Sequence, residues 1–137
     1  MTYTLTFQDR DEYLFAHVWA DRVDPSLATR YMTELHERCE SLGHKNLMIE
    51  RDVPGALCLS DYFRIAQVSA PILAGIKTAW INPYPQLHSD LEFFCMAANN
   101  RGSNYGLFSD RVQAAEWLGV EPLYTPSNPH IPFALCH

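Results

Sequence analysis

A chain of 137 residues, 47% hydrophobic and 19% charged, is long enough for one domain and hardly for two, and this composition excludes a disordered chain. The net charge is −6, and ten basic residues, only two of them lysine, are scattered singly along the sequence. That excludes a protein that binds nucleic acid by clustered cations. No apolar run approaches about 18 residues, so no membrane span is predicted.

Tyr3, Leu5 and Phe7 alternate with polar residues, which predicts a first strand over residues 3–8 and argues against a secretory signal. Residues 9–12 read as a charged turn. The apolar run over residues 13–19 reads as a second, more buried strand that closes a hairpin with the first. Asp24-Pro25 is a helix start, a capping acceptor followed by proline in the first turn. Leu27, Ala28, Tyr31, Met32, Leu35, Cys39 and Leu42 then fall on one face, and Gly43 ends the helix.

Residues 46–51 form the next predicted strand. The longest connection follows, over residues 52–60, with Pro54-Gly55 inside it. A second helix is expected over residues 61–74, capped by Ser60 and shortened or kinked by Pro71. Lys77 to Ile81 reads as a strand cut by Asn82-Pro83-Tyr84-Pro85. Ser89 with Glu92 reads as a capping box opening a third helix. A last strand over residues 105–108 precedes a short helix capped by Ser109 or Asp110 and ended by Gly119.

Helix, glycine and short strand recur at Gly43, Gly75 and Gly102, the rhythm of βα units feeding one sheet. The expected fold is α/β: a five-stranded mixed, mostly parallel sheet covered by four helices, with the first strand antiparallel at or near an edge. The domain is read as residues 1–119. Residues 120–137 form a tail in which Pro122, Pro126, Pro129 and Pro132 space apolar side chains. Such a tail docks on the domain, docks on a second copy to make a homodimer, or stays disordered. Cys39, Cys58, Cys95 and Cys136 contain no Cys-x-x-Cys pair, so the thiols read as reduced and the chain as cytoplasmic.

The runs Tyr13-Leu14-Phe15-Ala16-His17-Val18-Trp19, Asp21-Arg22-Val23-Asp24-Pro25 and Leu47 to Gly55 resemble the SpoIIAA-like branch of the STAS fold, the fold of anti-sigma-factor antagonists. So do Asn100-Arg101-Gly102, Leu107-Phe108-Ser109-Asp110 and the closing Trp117-Leu118. The resemblance covers roughly residues 3–119. It implies a binding or regulatory module rather than an enzyme. Its best-known members carry a phosphorylated serine in an Asp-Ser-Ser-Gly turn opening the second helix. Here that region reads Leu59-Ser60-Asp61-Tyr62, so Ser60 alone could stand for the phosphoacceptor. The branch is also similar to the CRAL-TRIO lipid-transfer fold, which implies a small apolar ligand.

Ligands of open α/β sheets meet the loops at the carboxyl ends of strands. Asp52, Pro54, Gly55, Leu57, Leu59, Ser60, Asp61 and Tyr84 are therefore expected to share one partner-binding rim, joined by Ser109 and Asp110. A pocket for an apolar ligand would lie near Leu57, Tyr62, Phe63 and Trp80. An enzyme would draw on Cys58 with His88, or on the acids at the rim. A phosphate on Ser60 would sit at a helix N-terminus, but the hydroxyl reads first as a cap, and Asp61 would repel the phosphate. His36 and Cys39 stand one helical turn apart without a second pair of metal ligands, and Cys39 falls on the apolar stripe. His17 reads as a core or edge histidine, Glu50, Arg51 and Asp52 as members of ion pairs, and Trp19, Trp80 and Trp117 as buried anchors. Nucleotide-binding glycine loops are absent from the sequence, and no metal or cofactor is implied. Three functions follow: a non-catalytic regulatory or protein-binding module, a binder of a small apolar ligand, and an enzyme of unknown type.

Overall fold

The structure is a computed structural model, and it describes residues 2–121. The chain runs β1 (Thr4–Asp9), β2 (Leu14–Trp19), α1 (Pro25–Leu42), β3 (Asn46–Asp52), α2 (Leu59–Ile72), β4 (Lys77–Ile81), α3 (His88–Asn99), β5 (Asn104–Phe108) and α4 (Arg111–Leu118). A 3-10 turn, Pro85–Leu87, leads into α3. The five strands form one sheet in sequence order. β1 pairs antiparallel with β2 at one edge, and the three remaining pairings are parallel. The expected α/β class, mixed sheet and four helices are thus observed. The expectations for residues 122–137, both the docked tail and the homodimer built on it, lie outside the described residues.

Alternation along the strands sorts the side chains onto two faces. Leu14, Ala16 and Val18 of β2, Leu47 and Ile49 of β3, and Trp80 of β4 enter the larger core. That core also takes the buried stripe of α1 and the inner faces of α2 and α3. Phe15, Met48, Ala79 and Ile81 face the other way, into a smaller core closed by Ala114, Ala115 and Leu118 of α4. Three helices therefore cover one face, and one helix of eight residues covers part of the other.

Tyr3, just before β1, and Leu5 and Phe7 within it pack from the partly exposed edge onto the larger core. The Tyr3 hydroxyl donates to the Glu34 carboxylate, and Arg38 lies 4.3 Å over the Phe7 ring.

The helix ends hold two differences from the sequence reading. Asp24 caps α1, its carboxylate accepting from the Leu27 N–H at 2.7 Å, and Gly43 closes the helix in the left-handed conformation. Asp110, not Ser109, caps α4 through the Gln113 N–H. Ser89, however, caps nothing. Pro85 starts the 3-10 turn three residues earlier, that turn runs directly into α3, and Ser89 falls inside the helix. Ser60 likewise is not a cap: α2 begins at Leu59, and the Cys58 carbonyl accepts from the N–H groups of Asp61 and Tyr62. Pro71 sits in the last turn of α2, which ends at Ile72.

The observed cap at Asp24 and the expected one at Ser89 are separable by mutation. Asp24→Ala is expected to cost about 0.5–2 kcal/mol of stability, because it strips the acceptor from a free N–H. Ser89→Ala should stay within about 0.5 kcal/mol, as an exposed position making no cap. Urea unfolding of both variants checks this, and equal losses would restore the capping box.

Candidate functional site

The carboxyl ends of β2, β3, β4 and β5 lie side by side, because these strands are parallel and in register. The loops that leave them are bound to one another. The Ala20 N–H donates to the Asp52 carbonyl at 3.3 Å, and the Gly55 N–H donates to the Asp21 carbonyl at 2.9 Å. The Asn82 N–H reaches the Phe108 carbonyl at 2.9 Å. The Tyr84 hydroxyl donates to Asp52 Oδ1 at 2.5 Å, which places residues 52–58 and 83–85 on the same rim. Asn82 folds its own loop: its carboxamide accepts from the Tyr84 N–H and donates to the Tyr84 carbonyl.

Gly55 is required by proximity. A Cβ there would stand 2.4 Å from the Cβ of Arg22 and 2.6 Å from the Asp21 carbonyl oxygen. The loop after β3 is thereby clasped against the loop after β2. Leu57 turns inward, partly buried against the larger core. Pro54, Leu59 and Ser60 face solvent. The Ser60 hydroxyl lies 3.1 Å from Cys58 Sγ, with Asp61 next to it in the first turn of α2.

β3 divides its three terminal charges between the two faces. Glu50 and Asp52 point to the face that α4 only partly covers. There Arg111 of α4 grips Glu50 through two N–H groups, at 3.2 and 3.0 Å, and lies over the Phe15 ring. His17 Nε2 stands 3.2 Å from Asp52 Oδ2. Asp52 thus joins His17 and Tyr84. The bond to Asp52, then burial and the same negative charge, push the Tyr84 hydroxyl above its ordinary pKa.

Arg51 points to the opposite face, and this corrects its reading as an ion-pair member. It is 3% exposed, and among the described residues no carboxylate lies within ion-pair distance of its guanidinium.

Trp19, expected as a buried anchor, is 53% exposed. It stands on the same sheet face as His17, beside the edge strand, where α4 does not reach. Trp80 is buried and packs edge-on against Phe94 and Tyr105, and Trp117 is partly buried against Phe108.

The four residues expected around an apolar ligand do not enclose a pocket. Tyr62 and Trp80 line a void of about 10 Å³, barely room for one water. Phe63 lies on the outer side of α2 against Phe93, with Arg101 over its ring. An open cleft of about 280 Å³ lies elsewhere on the rim, among Asn82, Pro83, Pro85, His88 and Ser109.

The expected chemical pairs take other partners. Cys58 meets Ser60, while His88 lies 3.8 Å from Glu92, so no Cys–His pair forms. His36 pairs with Glu40, and Cys39 is fully buried in the core, where desolvation raises its thiol to about 11. The His17–Asp52–Tyr84 cluster was not legible as a unit, because its members come from two strands and a loop. The signal available was the alternation that sets His17, Glu50 and Asp52 on one face. No helix among the described residues is long and apolar enough to cross a membrane. No protein-family model matches the chain, and no curated protein matches its sequence.

The Tyr84–Asp52 bond gives a signed pH effect. A raised folded pKa means that the bond's stabilisation is complete below tyrosine's ordinary pKa near 10 and drains away as pH rises past it. Tyr84→Phe should therefore be less stable than wild type at pH 8, with the gap narrowing above about pH 10. Urea unfolding at both pH values measures this, and a constant gap would refute the bond.

Proposed function

We propose that this chain is a non-catalytic regulatory module that binds a protein partner, of the STAS type in its SpoIIAA-like branch. The element order supports the assignment, as does the antiparallel edge strand followed by parallel βα units. The observation that carries the function is the apolar step at the start of α2. Leu59 is 53% exposed and Phe63, one turn on, is 37% exposed. Both rise from the rim on which Asp52, Pro54, Ser60, Asp61 and Tyr84 supply polar groups. Large apolar side chains that project beside polar neighbours on a clasped loop form the core-and-rim pattern of an interface. Met96 on α3 is a further exposed apolar side chain, at 55%. The void behind Tyr62 holds barely one water in the observed state, and the exposed step on the surface favours a protein contact.

Ser60 is exposed beside Leu59, so a phosphate there would lie at the edge of this contact. Its charge, added to that of Asp61, would oppose a partner's apolar surface. Ser60 is in this reading the off-switch of the contact.

The test is capture of a partner from extract of the host cell, using the full chain as bait. Leu59→Ser with Phe63→Ser should reduce the captured protein at least about tenfold, as loss of anchor residues does. Ser60→Glu should weaken it in the same direction. Arg38→Ala, on α1, serves as a control that leaves capture intact. A partner retained equally by all three variants would overturn the assigned surface.

A further inference from the structure

We infer that Arg51 forms the centre of a buried site for a carboxylate. The inference goes beyond the partner surface and rests on different residues. A guanidinium is almost never buried without an ionic partner, since removing its charge from water costs several kcal/mol. Arg51 is 3% exposed among Tyr31, Met32, Tyr62, Ile65, Trp80 and Phe94. The Val53 carbonyl accepts from its Nη1 at a long 3.4 Å, and the Tyr31 hydroxyl also interacts with it. A guanidinium offers five N–H donors in a planar fork. The Val53 carbonyl and the Tyr31 hydroxyl engage part of that fork, and among the described residues no carboxylate engages the rest.

Tyr62 and Trp80 line the same void, and among the described residues the Tyr62 hydroxyl and the Trp80 indole N–H have no hydrogen-bond partner. Both residues are at least 98% buried. Unsatisfied buried groups are rare, because each costs the desolvation it does not recover. Here a cation and two neutral donors converge, one of them unable to accept at all. What they lack in common is an acceptor with negative charge. A carboxylate supplies it in the geometry a guanidinium fork prefers, two parallel bonds. The apolar walls favour a carboxylate on an apolar body over a multiply charged anion, whose remaining charge would stay uncompensated.

The void of about 10 Å³ does not admit such a group in the observed state. Access lies under the rim. Val23 lines the void, and its segment is the one clasped by Gly55. Residues 53–58 follow directly on Arg51. Loosening the Gly55–Asp21 bond separates the two loops over the guanidinium and opens the way in.

The experiment titrates the full chain at constant ionic strength with acetate, butanoate, hexanoate and octanoate, and with inorganic phosphate and chloride. Binding is read by calorimetry and by the Trp80 indole N–H resonance. At least one carboxylate should bind saturably, one per chain, and shift that resonance. Affinity rising with chain length identifies the head of an amphiphile, and affinity independent of length identifies a small free acid. Arg51→Met should abolish binding. Tyr62→Phe removes only the hydroxyl, keeps the packing, and should weaken binding about ten- to a hundredfold. If Arg51→Met does not fold, Tyr62→Phe alone decides. Absence of saturable binding by folded wild-type protein, preference for phosphate or chloride, or binding unchanged in Tyr62→Phe would each overturn the proposal. None of these results bears on capture through Leu59 and Phe63, so the two readings fail separately.

Discussion

The alternation of β3 is the constraint on which the rest turns. Successive side chains of a strand point to opposite faces, so Glu50, Arg51 and Asp52 cannot act as one charged cluster, although they are contiguous in sequence. Two carboxylates go to the open face and one guanidinium goes beneath the helices. The first two find partners at once, Arg111 and the His17–Tyr84 pair. The third does not. Parallel pairing on both sides then fixes where this division falls, because β2 and β4 hold β3 in a single register. A slip of one residue would exchange the two faces and bury two carboxylates in place of one cation.

Unequal coverage of the sheet gives the division its consequences. α1, α2 and α3 seal one face, so whatever β3 sends there is cut off from water. α4 is short and lies over β4 and β5, with its first turn reaching β3 through Arg111. The strip over β1 and the carboxyl half of β2 stays open. Polar residues tolerate that strip: Thr4 and Thr6 lie exposed along it, and His17 is half-buried. Trp19 is the exception, an indole exposed at the strip's carboxyl end. Surface charge pairs such as Glu50–Arg111 contribute little to stability on the whole. Their effect here is positional: they hold α4 across the sheet and leave Trp19 uncovered.

Local chemistry in the sequence carried most of the fold. Asp24-Pro25 and Gly43 bound α1 because their backbone preferences act within one turn. The strands were legible from apolar runs, and the shared rim followed from parallel order alone. What was not legible depended on elements that meet only in space. Ser89 with Glu92 has the composition of a capping box, yet Pro85 begins a 3-10 turn that starts the helix earlier. Trp19 has the composition of a core residue, and its exposure is decided by the short reach of α4, which begins 92 positions after β2 ends. Arg51 has the charge of an ion-pair member, and its burial is decided by the elements that cover its face of β3.

The clasp at Gly55 ties the interior to the surface. The loop held there carries Leu57 into the core and delivers the chain to Leu59, at the foot of the exposed apolar step. The same loop leaves β3 one residue past Asp52, two past Arg51. A group bound to the guanidinium would be covered by this loop, and a partner bound at the rim would rest on it. Two sites that share one movable element are coupled in proportion to how differently each prefers that element's two states. If both favour the clasped loop, each raises the other's affinity; if the interior ligand holds the loop open, it opposes the partner by the same factor. The sign therefore rests on whether a carboxylate can be accommodated with the Gly55–Asp21 bond intact. A void of 10 Å³ says it cannot, since the carboxylate needs more room than a water. Occupation of the interior is then expected to loosen the rim, which makes the buried cation a means of release rather than of assembly.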